Sequence, residues 1–153
     1  MTIKVSIEIN REFDVSAGFD RAFGVLSNVP VSVSHFPKVD QLVDLGNNTF
    51  RWEMNKIGVH DYSLQTIYAA KYLSDKSNGS IVWKKVPGVG NAEVEGSWKV
   101  TETGSGCHVV LVTTGVMTLP LPSLLKLAVS PIVKHEFNAL VDKYINNLQA
   151  ALV

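Results

Sequence analysis

From residue 39 to residue 116 apolar side chains recur at every second position, interrupted by turns rich in glycine and asparagine. After residue 120 the spacing changes to three and four. Period two marks strands with one dry face, and a period near 3.6 marks a helix with one apolar stripe. A chain ordered this way is confined to a meander of hairpin-linked strands followed by one long helix. The expected class is therefore α+β: about seven antiparallel strands in a curved sheet wrapped around a long C-terminal helix, within one domain over 1–153.

The strands can be read individually. Val39, Val43 and Leu45 lead to a turn at Gly46-Asn47-Asn48, and Phe50, Trp52 and Met54 then share a face. His60, Tyr62, Leu64, Thr66, Tyr68, Ala70 and Tyr72 are expected on one face of a single long strand. Asn78-Gly79 is a hairpin signal, Ile81 and Trp83 follow it, and Pro87-Gly88-Val89-Gly90 turns the chain again. Ala92, Val94, Gly96, Trp98 and Val100 alternate cleanly with polar neighbours. Residues 107–116 are β-branched and apolar at both parities, so their inward side is open.

Ahead of the meander, Ile3, Val5, Ile7 and Ile9 alternate with Lys4, Ser6, Glu8 and Asn10, giving a first strand. Ser16 is placed to cap a helix carrying Phe19, Ala22, Phe23 and Leu26, which stops near Ser27-Asn28 ahead of Pro30. A short second helix or turn is expected over residues 31–35. The tail stripe runs from Leu121 through Leu125, Val129, Val133 and Phe137 to Tyr144 and Leu148. Pro131 lies inside it and should kink or break the helix.

Composition excludes several classes. Lys+Arg and Asp+Glu both number 14, so no overall charge points to nucleic acid or an anionic surface. Cys107 is the single cysteine, which rules out a disulfide framework and, following a glycine turn, reads as an inert thiol. His108 next to it points to the opposite strand face. The other histidines, His35, His60 and His135, are scattered without metal-ligand spacing. No metal and no cofactor is expected. Gly88-Val89-Gly90 has no lysine after it and reads as a turn, not a phosphate loop. Glu93 and Glu95 share a polar strand face opposite Trp98 and read as solvated. The most apolar stretch, 116–133, is broken by Pro120, Pro122, Lys126 and Pro131, so no transmembrane segment is expected. Without an apolar leader after Met1, a cytoplasmic location is expected.

A twisted meander curls, and a straight helix across its concave side touches it unevenly. The gap must be filled by large rings or by a ligand. The mean hydropathy of +0.14 hints at apolar surface beyond a minimal core. Four local strings sit where such a fold needs them: His35-Phe36-Pro37-Lys38-Val39, Asn48-Thr49-Phe50-Arg51-Trp52, Val94-Glu95-Gly96-Ser97-Trp98 and Leu119-Pro120-Leu121-Pro122. With the element order, they make the chain resemble the helix-grip superfamily of START domains, birch-pollen-type allergens and polyketide cyclases. That resemblance implies a pocket between sheet and final helix for lipid-, sterol- or polyketide-like molecules. It transfers no catalytic residue.

The expected function is binding or carriage of a small hydrophobic ligand. One alternative is a cyclase-, aromatase- or hydrolase-like enzyme using the same pocket, with His60 or a tyrosine as acid or base. A second is an interaction module, with apolar residues left exposed on 107–116 and around 119–125. The oligomeric expectation is monomer or homodimer. The expected ligand-binding residues are Trp52, Met54, His60, Tyr62, Leu64, Tyr68, Trp83, Trp98, Leu111, Leu125, Val129, Val133 and Phe137. Residues 115–122 are expected to form a gate.

Overall fold

The computed structural model describes residues 2–59 and 61–153. The order is β1 (Ile3–Val15), α1 (Phe19–Ser27), α2 (Val29–Val33), β2 (Val39–Gly46), β3 (Thr49–Met54), β4 (Ile57–Val59), β5 (Tyr62–Leu64), β6 (Ile67–Asp75), β7 (Ser80–Lys85), β8 (Ala92–Thr103), β9 (Gly106–Leu119) and α3 (Lys126–Ala151). Seven strands form an antiparallel sheet in the order β1-β9-β8-β7-β6-β3-β2, and β4 pairs with β5 alone. This is the helix-grip α+β architecture. Side chains from β1, β3, β6, β7, β8 and β9 face the same cavity as α3, so the sheet must curve around the helix.

Local chemistry explains the turns. Asn47 and Asn48 have φ of 53° and 59°, as the type I′ hairpin between β2 and β3 requires. Between β7 and β8, Gly90 has φ +66°, and a Cβ there would stand 2.1 Å from the Ile67 carbonyl oxygen. Gly96, within β8, faces Trp83 across the strand pair. A Cβ on it would stand 2.3 Å from the Val112 carbonyl oxygen and 2.8 Å from Trp83 Cζ2. Gly96→Ala is therefore expected to lose about 1–3 kcal/mol, because a backbone oxygen cannot step aside. An unchanged urea midpoint would show that the strand gives way there.

The structure corrects several expectations. Helix α1 starts at Phe19 behind Gly18, and Ser16 does not cap it. The backbone N–H groups of Ser16 and Ala17 instead donate to the Leu152 carbonyl, at 3.1 and 3.0 Å. Helix α2 begins earlier than expected, at Val29. Pro30 fits its first turn, where a missing N–H is harmless, and Asn28 Oδ1 accepts from the Val31 N–H at 3.3 Å. A bulge between Val39 and Gln41 shifts the register of β2, so Leu42 rather than Gln41 lies opposite Trp52. Leu45 is exposed.

The expected long strand over residues 60–72 is broken at Gln65-Thr66. There the side chain of Asn91 does the pairing. Its Nδ2 donates to the Gln65 carbonyl at 2.7 Å, and its Oδ1 accepts from the Ile67 N–H at 2.9 Å. Tyr62 and Leu64 thus belong to the small β4–β5 ribbon, and only Tyr68, Ala70 and Tyr72 continue on β6.

The open question of β9 is settled by pairing. Cys107, Val109, Leu111, Met117 and Leu119 are buried, while Val112 and Val116 are exposed. Strand β9 continues to Leu119 and pairs with β1 as far as Ile3. Residues 115–119 are thus sheet, not a gate, and Leu121 is a buried anchor in the connection that follows. Helix α3 starts at Lys126 and runs unbroken through Pro131. The carbonyl that Pro131 leaves unpaired belongs to Leu127, an exposed residue, so water can satisfy it. The buried stripe of α3 is Val129, Val133, Leu140, Val141, Tyr144, Ile145 and Leu148. Each such side chain removed from water stabilises the fold by about 1.5–3 kcal/mol.

Candidate functional site: an aromatic-walled cavity

Between the concave face of the sheet and α3 lies a cavity of about 110 Å³. Its floor comes from the inward parity of the strands: Trp52 and Met54 on β3, Tyr68 and Tyr72 on β6, Trp83 on β7 and Trp98 on β8. Leu111 and Met117 on β9 complete it. Helix α3 covers it with Phe137, Val141 and Tyr144, and α2 closes one end with Val29, Ser32 and Val33. Phe36, in the turn after α2, reaches in beside them.

The rings form a closed circuit. Trp52 meets Phe36 edge-on at 5.4 Å between centroids, and Phe36 meets Tyr144 at 4.9 Å. Tyr144 meets Trp98 at 5.9 Å, Trp98 meets Trp83 at 6.1 Å, and Trp83 meets Tyr72 at 5.9 Å. Trp52 Nε1–H closes the loop by donating to the Tyr72 hydroxyl at 3.0 Å. Tyr68 stacks on Trp52 at 5.4 Å and 18°. Edge-to-face and offset contacts of this kind add about 0.5–1.5 kcal/mol each beyond burial, so the wall is stiff.

Besides the indole N–H groups, the polar groups of the described wall side chains are hydroxyls. The Tyr144 hydroxyl bonds to Ser32 Oγ. Thr113 Oγ1 donates to the Glu95 carbonyl at 3.1 Å, and Thr66 Oγ1 bonds to Met117 Sδ at 3.6 Å. Among the described residues the Tyr68 hydroxyl has no hydrogen-bond partner, and the Tyr72 hydroxyl accepts a bond but donates none. Burial pushes the pKa of all three tyrosines above the ordinary phenol range. For Tyr68 the charges that Tyr72 and Tyr144 would carry add to it, and for Tyr72 the Trp52 hydrogen bond pulls back in part. They are therefore neutral donors at physiological pH.

No Asp, Glu, Lys, Arg or His stands among the described lining residues. A charged group inside would find no counter-ion, and burying an unpaired charge is prohibitively costly. The cavity suits a neutral molecule. No cluster of His, Cys, Asp and Glu able to hold a metal ion occurs among the described residues. Cys107 is buried, with its thiol pKa raised by burial and then by the charge of Glu102. His108 is on the outer face, 2.8 Å from Asp14 and 3.2 Å from Glu12, and both carboxylates raise its pKa.

Of the expected ligand-binding residues, Trp52, Met54, Tyr68, Trp83, Trp98, Leu111 and Phe137 line the cavity. Leu64, Val129 and Val133 are buried in the core away from it, and Leu125 is half-buried at the start of α3. Tyr62 is 39% exposed, because the break at Gln65 takes it out of the sheet. His60 lies outside the described residues. Sequence reasoning missed Phe36, Tyr72 and Tyr144 as wall residues. Tyr144 stands seven residues after Phe137 on one helical face, and Tyr72 four after Tyr68 on one strand face, so both carried a periodic signal. Phe36 lies in a turn and carried none.

No family model matches the sequence, and no curated protein matches it at the sequence level. Solved structures match its fold. A START superfamily protein from Mycobacterium smegmatis aligns with a TM-score of 0.63 at 14% identity, over 95% of this chain and 96% of that one. The Zhui aromatase/cyclase from Streptomyces sp. R1128 aligns at 0.62 and 13%, over 96% and 93%. The di-domain aromatase/cyclase StfQ of the steffimycin biosynthetic pathway aligns at 0.62 and 17%. There 97% of this chain is covered, and the chain spans about half (51%) of the di-domain's length. The chain thus has the START and polyketide-cyclase-like helix-grip fold. No helix among the described residues is long and apolar enough to cross a membrane.

Proposed function

We propose that this chain binds and carries one small, neutral, largely apolar molecule in the aromatic-walled cavity. The supporting observation is a ring circuit that borders free space, with no charged side chain among the described lining residues and a Tyr68 hydroxyl that has no hydrogen-bond partner among the described residues. A ligand with a carbonyl or ether oxygen would accept from Tyr68 while its apolar body packs on the rings. The free space of about 110 Å³ is below the 300–1,000 Å³ typical of drug-sized ligands. A bicyclic guest therefore has to push aside half-buried wall residues such as Val94 and Phe137.

The chain's three tryptophans all stand on this wall, so intrinsic fluorescence reads occupancy directly. Titration with 1-tetralone, a bicyclic ketone, is expected to quench them saturably. Tyr68→Phe should weaken 1-tetralone about 2- to 13-fold, the worth of a net hydrogen bond of 0.5–1.5 kcal/mol, and leave tetralin, its hydrocarbon analogue, unaffected. Equal weakening of both would sink the Tyr68 role, and no saturable quenching by either would sink the binder.

A second reading is turnover in the same pocket, favoured by the likeness to two aromatase/cyclases. The neutral phenols of Tyr68 and Tyr72 would polarise a carbonyl as donors. They are too weakly acidic to serve as bases at neutral pH. Product formation from a poly-β-ketone thioester, lost in Tyr68→Phe while binding persists, would select this reading.

A further inference from the structure

We propose that the amino-terminal part of α3 docks on a lipid surface carrying anionic headgroups. The observation is a helix segment that is apolar on two sides. Its inner side is Val129 and Val133, buried in the core. Its outer side is Leu127, Ala128, Pro131 and Ile132, at spacings of three and four, so these side chains share one face, and Leu124 stands exposed in the turn just before the helix. Leu124 is 92% exposed, Leu127 91% and Ile132 43%. Single exposed leucines are ordinary, but a contiguous stripe along one helical face marks a surface that expects a cover.

Charge selects the cover. Between Glu102 and Glu136 the sequence contains no carboxylate. The formal charges on that stretch are Lys126 and Lys134, both exposed and in no ion pair among the described residues; Lys134 borders a surface groove that also holds Glu8, Glu93 and Glu95, so Lys126 is the cation set directly beside the apolar stripe. Lys4, opposite Thr118 in the β1–β9 register, adds a third exposed cation at the same end of the sheet. Apolar side chains flanked by lysines match the interfacial zone of an anionic bilayer, where chains insert and ammonium groups meet phosphates. A second copy fits worse, because a two-fold contact through this stripe would set Lys126 and Lys134 against their own counterparts.

The face is continuous with the proposed site, since Phe137, Val141 and Tyr144 of the same helix close the cavity. The docking itself does not depend on cavity contents, so its test is independent of ligand binding. Two leucines and a few lysines predict reversible attachment.

The test is flotation of the full chain with vesicles of phosphatidylcholine alone or mixed with phosphatidylglycerol. The chain is expected to float with the mixed vesicles and to be released by high salt. L124Q/L127Q should lose about tenfold or more in partitioning while keeping its melting temperature, both side chains being exposed in the free chain. K126Q/K134Q should lose the preference for the anionic mixture. Failure of the wild type to float would overturn the proposal, as would unchanged flotation of L124Q/L127Q. A wild-type dimer in sedimentation that L124Q/L127Q converts to a monomer would assign the face to a second copy instead.

Discussion

Replacing Trp98 by alanine is expected to lower the melting temperature by roughly 6–20 °C, the equivalent of about 3–5 kcal/mol in a domain of this size. Trp98 is 4% exposed and is the hub of the ring circuit. It touches Phe13 at 6.1 Å, Trp83 at 6.1 Å and Tyr144 at 5.9 Å. These partners come from β1, β7 and α3, so one truncation loosens both sides of the sheet and the helix that covers it. The void it leaves joins the existing cavity, and the neighbours cannot collapse into it without breaking their own contacts. The same change should therefore enlarge the cavity and admit bulkier guests. A saturating apolar ligand should then recover part of the lost stability by mass action. Leu127→Ala, on the exposed face of α3, is the matched control and should stay within about 0.5 kcal/mol of wild type. A Trp98→Ala protein that melts with the wild type would mean that the ring circuit does not hold sheet and helix together.

The inward placement of Trp98 was legible because Ala92, Val94, Gly96 and Val100 share its parity, with no competing pattern. So was the order of the elements, since the turns carry their own chemistry at Asn47-Asn48 and Asn78-Gly79. What the sequence hid was non-local. The long strand expected over residues 60–72 keeps perfect alternation on paper, yet it breaks because Asn91, from another hairpin, supplies the missing pairing. Residues 107–116 satisfy either parity, and only the register against Val15 and Ile3 decides it. The candidate wall was half legible for the same reason. Strand rings announce themselves by parity, whereas Phe36 enters from a turn and takes its place only after Trp52 and Tyr144 have been brought together.

Alkaline pH is expected to unfold the protein steeply, and the buried tyrosines set the sign. The native-state pKa values of Tyr68, Tyr72 and Tyr144 are raised, chiefly by burial, whereas unfolded tyrosines ionise near roughly 10. Below that value both states hold all three protons, and the tyrosines contribute no pH dependence. Above it the unfolded chain binds fewer protons than the native one, so stability falls as pH rises. Three groups give a limiting slope of about 4 kcal/mol per pH unit, against a typical total of 5–15 kcal/mol. The transition should therefore fall in a narrow span between roughly pH 11 and 13. Loss of the circular-dichroism signal should coincide with a cooperative rise in tyrosinate absorbance, because these phenols reach hydroxide only when the sheet opens. Tyr68→Phe is the informative variant, since its hydroxyl has no partner among the described residues to lose. It should flatten the slope to about 2.7 kcal/mol per pH unit without costing stability at neutral pH. If instead all the tyrosines ionised gradually near pH 10 with the fold intact, the cavity would be open to water, and the case for a dry apolar site would fail with it.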